Sequence, residues 1–528
     1  MKYLLFASAL LICISIAGPS YPAGVDRIVI APAISETAIA LKLALRGARD
    51  EAREEAQEFY FFYGARSFEP LWIEEQPSQK WMVNHRYRML RTLFSTAASL
   101  GLNPNDYRLP SNPNLSLSEA VDLEMATSAM ALRFGRDNYG GRLDPRSVSP
   151  NLDMDRPTPD RTQLFQILAS PDPASALANL APDSPEFRSL LNLLNDDTGG
   201  PPAIEIGPGA ALRPDAVDTR VPLLRARLSL VEATQDSNRY DATLVKAVRK
   251  FQRLQGLIVD GIVGDATREA LNRQGSIGRA QILVNLERWR WLPRERGTSR
   301  VEVNIPEFRL RVIRNETVAY ESRVVVGTKT NQTPIFYDKI RHVVVNPYWN
   351  VPTSIARTEI APRVRSDPAY LGRSDFELIQ GGNIIDPLSV DWSRLSPGAF
   401  PFSVRQRPGS LNALGQVKFL FPNKHAVYLH DTPEKSLFGR DMRAFSHGCI
   451  RVQNPFDFAD ALLATEPNLG KVTLTQAFGP KERWFNLEVS VPVFLTYFTL
   501  RIDGAGQVVA YADIYGHDER IAKALDLL

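Results

Sequence analysis

The sequence predicts a multidomain α+β protein: a mainly helical N-terminal scaffold, a small three-helix unit, and a C-terminal antiparallel β-sandwich with a lid insertion. Three observations predict it. The chain has 528 residues, enough for roughly two to four domains. Apolar residues recur at helical spacing through much of the first half. From Val301 they alternate with period two in short runs bounded by Gly, Pro and Asn.

Composition excludes several classes. There are 62 Lys+Arg against 59 Asp+Glu, a net charge of +3, and no basic block; no nucleic-acid partner is expected. Two cysteines cannot build a disulfide scaffold, and six scattered histidines give no metal-ligand spacing, so neither a metal nor a cofactor is expected.

The elements follow in order. Lys2 precedes an apolar run from Tyr3 to Ala17, the design of a secretory signal peptide. Ser15-Ile16-Ala17 places small residues for cleavage before Gly18, and Tyr21-Pro22-Ala23 is a second candidate. The run is too short to span a bilayer comfortably, so export without a stable membrane span is expected. Cleavage removes Cys13 and leaves Cys449 as the one thiol, a flag for reactivity in an oxidising compartment.

Residues 18–205 read as the scaffold. Helices are expected over 34–59, 83–100 and 117–136, and the prolines from Pro145 to Pro185 then allow only short ones. The Gly/Pro-rich stretch from Asp196 to Gly209 is linker-like.

Residues 210–275 form the compact unit. Val221, Leu224 and Leu228 share a helical face, Asp241 caps a helix carrying Leu244, Ala247, Val248 and Phe251, and Asp265 caps a third. The series Phe251-Gln252, Asp260-Gly261, Gly264 and Thr267 resembles the peptidoglycan-binding domain of secreted wall enzymes.

Residues 285–515 form the β-rich domain, with strands expected around 301–312, 322–327, 340–345, 417–421, 427–430, 472–475, 487–500 and 508–514. The alternation lapses between about 355 and 400, an excursion long enough to read as a lid.

Two strings in this domain carry chemistry: Tyr428-Leu429-His430-Asp431 and Ser446-His447-Gly448-Cys449-Ile450-Arg451. Alternation puts Tyr428 and His430 on one side of their strand. Gly448 lets backbone approach a bound acyl group. A thiol near the helix expected from Asn454-Pro455, flanked by His447 and Arg451, is expected to have a lowered pKa and to be partly thiolate near neutral pH. A thiolate is a nucleophile, and a histidine within reach can activate it and later protonate a leaving amine.

These strings resemble the active-site motif of the L,D-transpeptidases, the YkuD catalytic domain. The stretches Asn285–Pro293, Asn346–Pro352, and Arg405–Gly409 with Asn412–Gly415, together with the scaffold and wall-binding unit, resemble the YcbB branch. The resemblance implies Cys449 as nucleophile, His430 as proton carrier, and the backbone carbonyl of Asp431 fixing its tautomer. It implies that His447, Gly448 and Cys449 shape the site and its backbone N–H oxyanion donors, and that Arg451 and Tyr428 are candidates to meet the acidic stem; Trp349 reads equally as a substrate contact or as core. His342 and His425 read as structural.

The reaction implied is acyl transfer on peptidoglycan stems. A tetrapeptide donor loses its terminal D-alanine to form a thioester, and a diaminopimelate amine resolves it as a 3→3 cross-link. The implied place is the periplasm, against the cell wall, and carbapenems are implied as covalent inhibitors. Water or a lipoprotein lysine as acceptor, or a non-catalytic wall-binding role, are the alternatives.

Overall fold

The computed structural model describes residues 35–50, 54–76, 81–110, 115–196, 204–230, 237–392, 400–464, 466 and 471–528. The expected signal segment lies outside them. Among the described residues no helix is long and apolar enough to cross a membrane.

The described residues fall into two compact units, the first holding those from 35 to 82 and from 115 to 122. Its helices Glu36–Asp50 and Glu54–Gly64 bury Leu41, Leu45 and Tyr63. Strand Ile73–Glu75 pairs with Trp81–Val83, and the Trp81 indole N–H donates to Thr37 Oγ1 at 2.6 Å.

The second unit holds the rest of the chain. Its helices after Pro150 are short where prolines are dense: Arg161–Ala169, Pro173–Ala178 and Pro185–Leu194. Each begins behind a side-chain cap, Asp160, Asp172 or Ser184, and two place proline in the first turn where no N–H is missed. The helix Arg279–Arg290 joins this region to the β domain. It is buried nearly all round, so its charged residues need partners inside. Asn285 Oδ1 accepts from the Thr499 and Leu500 N–H groups. Glu287 accepts from the Leu143 N–H at 2.8 Å, and Arg290 donates to the Leu100 and Asn138 carbonyls. The string Asn285–Pro293 is therefore a structural junction.

The three-helix unit comprises Val221–Arg227, Ala242–Leu254 and Asp265–Gln274 around Leu212, Leu224, Tyr240, Leu244, Val248 and Leu271. Asp241 caps the middle helix by accepting from the Leu244 N–H at 2.9 Å. The third helix is capped by Gly264, with Asp265 inside its first turn instead of at the expected cap. Buried Gln252 organises the motif. Its amide donates to Asp260, the Ile262 carbonyl and Thr267, and its oxygen accepts from the Gly261 N–H at 2.8 Å. The middle helix leaves carbonyls without intrahelical donors at its C-terminal end. Arg309 donates to Arg253, Arg323 to Leu257 and Arg443 to Gly256, each to the main-chain carbonyl. One guanidinium of the β domain thus caps the last turn and two bind the loop just beyond it, at the end where the helix dipole favours cations.

The β domain is a nine-stranded sheet in the order Ala444–Ser446, Thr317–Gly327, Ile450–Val452, Leu429–His430, Val417–Leu420, Phe336–Val345, Arg483–Thr496, Ser299–Asn304, Arg309–Arg314. The last strand also pairs with Thr317–Gly327, which closes the sheet around the main core. The β-rich class is as expected, but the pairing is mixed. Leu429–His430 with Ile450–Val452, Ala444–Ser446 with Thr317–Gly327, and Arg483–Thr496 with Ser299–Asn304 are parallel pairs. The strand expected over 472–475 is instead part of the helix Lys471–Gln476.

The excursion after Ile355 is a folded subdomain with strands of its own. Trp349–Asn350, Ser403–Gln406, Phe376–Gln380 and Asn383–Ile385 form an antiparallel sheet. Its tight turn is Gly381-Gly382, both at positive φ, which suits a two-residue hairpin. A separate core contains Ile360, Val364, Leu371, Phe376, Leu378 and Trp392. The strands escape a periodicity reading because they are two to five residues long.

Candidate active site

Two adjacent strands build the site. Leu429 pairs with Ile450 and His430 with Arg451 in parallel register. Leu429 and Ile450 are fully buried in the core, so alternation turns His430 and Arg451 to the opposite face, together with Tyr428 and Cys449. On the other side, Lys418 pairs with His430. One face thus gathers a thiol, an imidazole, a phenol and two cations.

His430 is 4% exposed, and its Nδ1 donates to the carbonyl of the next residue, Asp431. That bond places the ring proton on Nδ1 and leaves Nε2 as the acceptor. Burial, then the positive charges of Arg451 and Lys418, push its pKa down to about 3, so the imidazole is neutral at physiological pH. The Asp431 carboxylate is engaged elsewhere. It accepts from the Gln416 N–H at 2.9 Å and pairs with Lys435.

Cys449 is half-buried, with Sγ 3.7 Å from the Ala426 carbonyl. Ala426 has φ +53, an uncommon conformation for a residue with a Cβ. Burial pushes the thiol up to about 11, against smaller lowering contributions from the Tyr428 N–H and hydroxyl and from Arg451. The same enclosure, with the thiolate charge next in importance, raises Tyr428 well above its ordinary value. The expectation of a partly ionised thiol is therefore reversed, because burial outweighs every lowering contribution. The helix that was to supply positive potential starts only at Pro455, beyond the strand Ile450–Val452. Arg451 also pairs with Glu434, and exposed His447 meets Glu359 through Nε2 at 2.6 Å. No hydrogen bond joins Sγ to His430 among the described residues; the two share a face on neighbouring strands.

The oxyanion expectation for Gly448 also changes. Its N–H donates to Ser446 Oγ at 3.1 Å, so that donor is occupied. Trp349 packs against Phe376 in the core of the excursion, with ring centroids 6.1 Å apart. His342 and His425 are hydrogen-bonded to Asn486 and Asp153 at 2.8 and 2.7 Å. Among the described residues no group of three or more His, Cys, Asp or Glu side chains is arranged to hold a metal ion.

Three residues at the site escape a reading of motifs. Glu359 lies within a π-helical turn, Ala356–Ile360, a feature common at functional sites. Thr333 and Tyr515 reach the nucleophile's loop from distant positions. Only the dipeptide Thr333-Pro334 was available as a signal, and nothing local marks the other two.

Comparison with known proteins now bears on this geometry. Residues 298–473 match the family description "L,D-transpeptidase catalytic domain", YkuD. Over those residues the chain is similar to the YkuD-type L,D-transpeptidase catalytic domain. Residues 57–194 match a "Scaffold domain", and 219–271 a "Putative peptidoglycan binding domain". A protein of Haemophilus influenzae described as "Putative L,D-transpeptidase" is 37% identical over 246 residues, 46% of this chain and 48% of that protein. The alignment thus spans about half the length of that relative. The solved L,D-transpeptidase of Stackebrandtia nassauensis aligns at 13% identity and TM-score 0.24, over 54% of this chain and 94% of that one. That of Xylanimonas cellulosilytica aligns at 15% and 0.17, over 55% and 100%.

Proposed function

We propose that this protein is an L,D-transpeptidase of the periplasm that joins peptidoglycan stems by 3→3 cross-links through a thioester on Cys449. The observation that carries the reading is the parallel register that sets Cys449 and His430 on one face, with His430 Nδ1 tied to Asp431. Sγ attacks the carbonyl carbon of the donor's third residue, and its proton passes to His430 Nε2. The C–N bond to the terminal D-alanine then breaks, and the leaving amine takes that proton. The side-chain amine of a second stem attacks the thioester, and the proton it loses returns to the sulfur.

A neutral thiol and a neutral imidazole suit such a sequence. The ion pair is unfavourable in the empty site and forms only as negative charge moves onto the substrate oxygen. Arg451 and Tyr428 flank the thiol and are the candidates for contact with the acidic stem. The folded excursion, reaching the catalytic loop through Glu359, would hold stems and exclude water from the thioester. Residues 210–275 would hold the enzyme on the wall.

Muropeptide analysis of purified protein with disaccharide-tetrapeptide tests the reading. The expected product is a 3→3 dimer with release of D-alanine, absent with Cys449→Ala. Release of D-alanine with tripeptide product alone would make water the acceptor. Cross-linking that persists in Cys449→Ala would remove Cys449 as nucleophile.

A further inference from the structure

Gly448 precedes the thiol's residue at φ +116, and both its backbone polar atoms are occupied. The N–H goes to Ser446 Oγ, whose own hydroxyl donates to the Cys449 carbonyl at 2.5 Å. The Gly448 carbonyl accepts from Thr333 Oγ1 at 2.8 Å. A trans peptide is planar, with its C=O and N–H pointing opposite ways. Holding the Gly448 carbonyl therefore aims the Cys449 N–H away from Thr333. That N–H has no partner among the described residues, whereas the next one, on Ile450, donates to the Tyr428 carbonyl at 3.1 Å.

Thr333 is itself fixed at every polar atom of this network. It is fully buried, and Oγ1 also accepts from the Gly327 N–H at 2.9 Å. Its own N–H donates to the Tyr515 hydroxyl at 3.2 Å, and that hydroxyl donates to the Gly327 carbonyl at 2.7 Å. Tyr515 is 1% exposed and stacks on Tyr497 at 5.5 Å. The Tyr497 hydroxyl accepts from the Tyr515 N–H and donates to Asp513, both at 2.7 Å. A continuous set of hydrogen bonds thus runs from Asp513 to the peptide before Cys449, and it begins outside residues 298–473, the stretch matching the catalytic-domain family.

We infer that Thr333 and Tyr515 are positioning residues that hold the Cys449 N–H as the main-chain donor to the oxyanion formed during acylation. This rests on the proposed role of Cys449 as nucleophile. The carbon under attack gains a bond to Sγ, its C=O electrons move onto oxygen, and a preset N–H stabilises that charge without reorganising. With the Gly448 N–H committed to Ser446, a tilt of the one peptide removes the remaining donor.

The test follows full-length protein reacting with meropenem, separating the initial binding constant from the acylation rate at saturation, with melting temperatures alongside. Thr333→Val, which keeps shape and loses the hydroxyl, should slow acylation roughly 10- to 100-fold, less than or equal to the effect of deleting an oxyanion donor. Initial binding should change less than threefold, and Thr333→Ser should restore most of the rate. Tyr515→Phe should slow acylation roughly tenfold, and adding it to Thr333→Val should slow it little further, since both act on one peptide. Wild-type rates in both Thr333→Val and Tyr515→Phe, equal losses in Thr333→Val and Thr333→Ser, or a loss confined to initial binding would overturn the inference. Absence of any adduct on the wild type would overturn the nucleophile itself, and this inference with it.

Discussion

Glu359 and His447 meet at 2.6 Å, a carboxylate from the folded excursion against the imidazole two residues before Cys449. Both side chains keep more than a third of their surface in water, so the pair is worth at most about 1 kcal/mol and is screened by salt. It suits a contact that must break and re-form as substrate enters. Glu359→Gln should leave the melting temperature within a degree or two. Limited proteolysis should cut the 353–400 region severalfold faster than in wild type, and acylation should quicken at low salt more than at high salt. Unchanged cleavage at every salt concentration would show that the contact does not hold the cover.

The pH profile of thiol reactivity separates the two electrostatic pictures of Cys449. With the thiol pushed up to about 11, alkylation by iodoacetamide depends on a small thiolate fraction. The rate should therefore climb nearly tenfold per pH unit from 7 to 10. A plateau beginning near pH 7, the behaviour of a thiolate paired with imidazolium, would overturn the raised value. Stopped aliquots analysed by whole-protein mass spectrometry give the rate directly.

What the sequence disclosed and what it withheld divide along the range of the interactions. Asp241 announces its helix because cap and first turn are three residues apart, and the Asp160, Asp172 and Ser184 starts are equally local. Cys449 and His430 stand out because their neighbours in the chain are also their neighbours in space. The closing of the sheet depends on which strands pair, and alternation within a strand carries no such information. The surroundings of the thiol escape for a related reason: the partners of His447 and Arg451, Glu359 and Glu434, lie 88 and 17 residues away in the sequence. Thr333 and Tyr515 meet across 182 residues. Neither could be linked to Gly448 by any local pattern.

Gln252 tests whether the wall-binding motif is chiefly a folding motif. Its side chain is 1% exposed and joins Asp260, Gly261, Ile262 and Thr267. Gln252→Leu keeps the bulk but leaves buried partners unsatisfied, at a cost of about 2–3 kcal/mol. Denaturant unfolding of the full chain should show that loss, and binding to sacculi should fall only where the unit has unfolded. Exposed Lys250→Gln should stay within about 0.5 kcal/mol of wild type. A variant that keeps wild-type stability would show that the hydrogen-bonded hub is dispensable.

Two buried histidines make stability depend on acid in a predictable direction. His430 and His517 are both held down to about 3 against an ordinary 6.5, chiefly by burial and next by Arg451 and Arg288 respectively. Between those values the unfolded chain binds protons that the folded chain refuses. Stability contributed by the neutral rings is therefore complete above about pH 6.5 and is lost progressively as pH falls toward 3. The slope is at most about 1.4 kcal/mol per pH unit for each ring. His517 is the cleaner probe, since neither ring nitrogen has a hydrogen-bond partner among the described residues and the ring lies against Tyr497 and Tyr515. His517→Phe keeps an aromatic ring there and cannot take a proton. Its unfolding free energy should match wild type within about 1 kcal/mol at pH 7 and exceed it increasingly at pH 6, 5 and 4. Carboxylates titrating in the same range act on both proteins alike, so the difference isolates this histidine. Denaturation curves that run parallel from pH 7 to pH 4 would mean that His517 keeps an ordinary pKa in the folded chain.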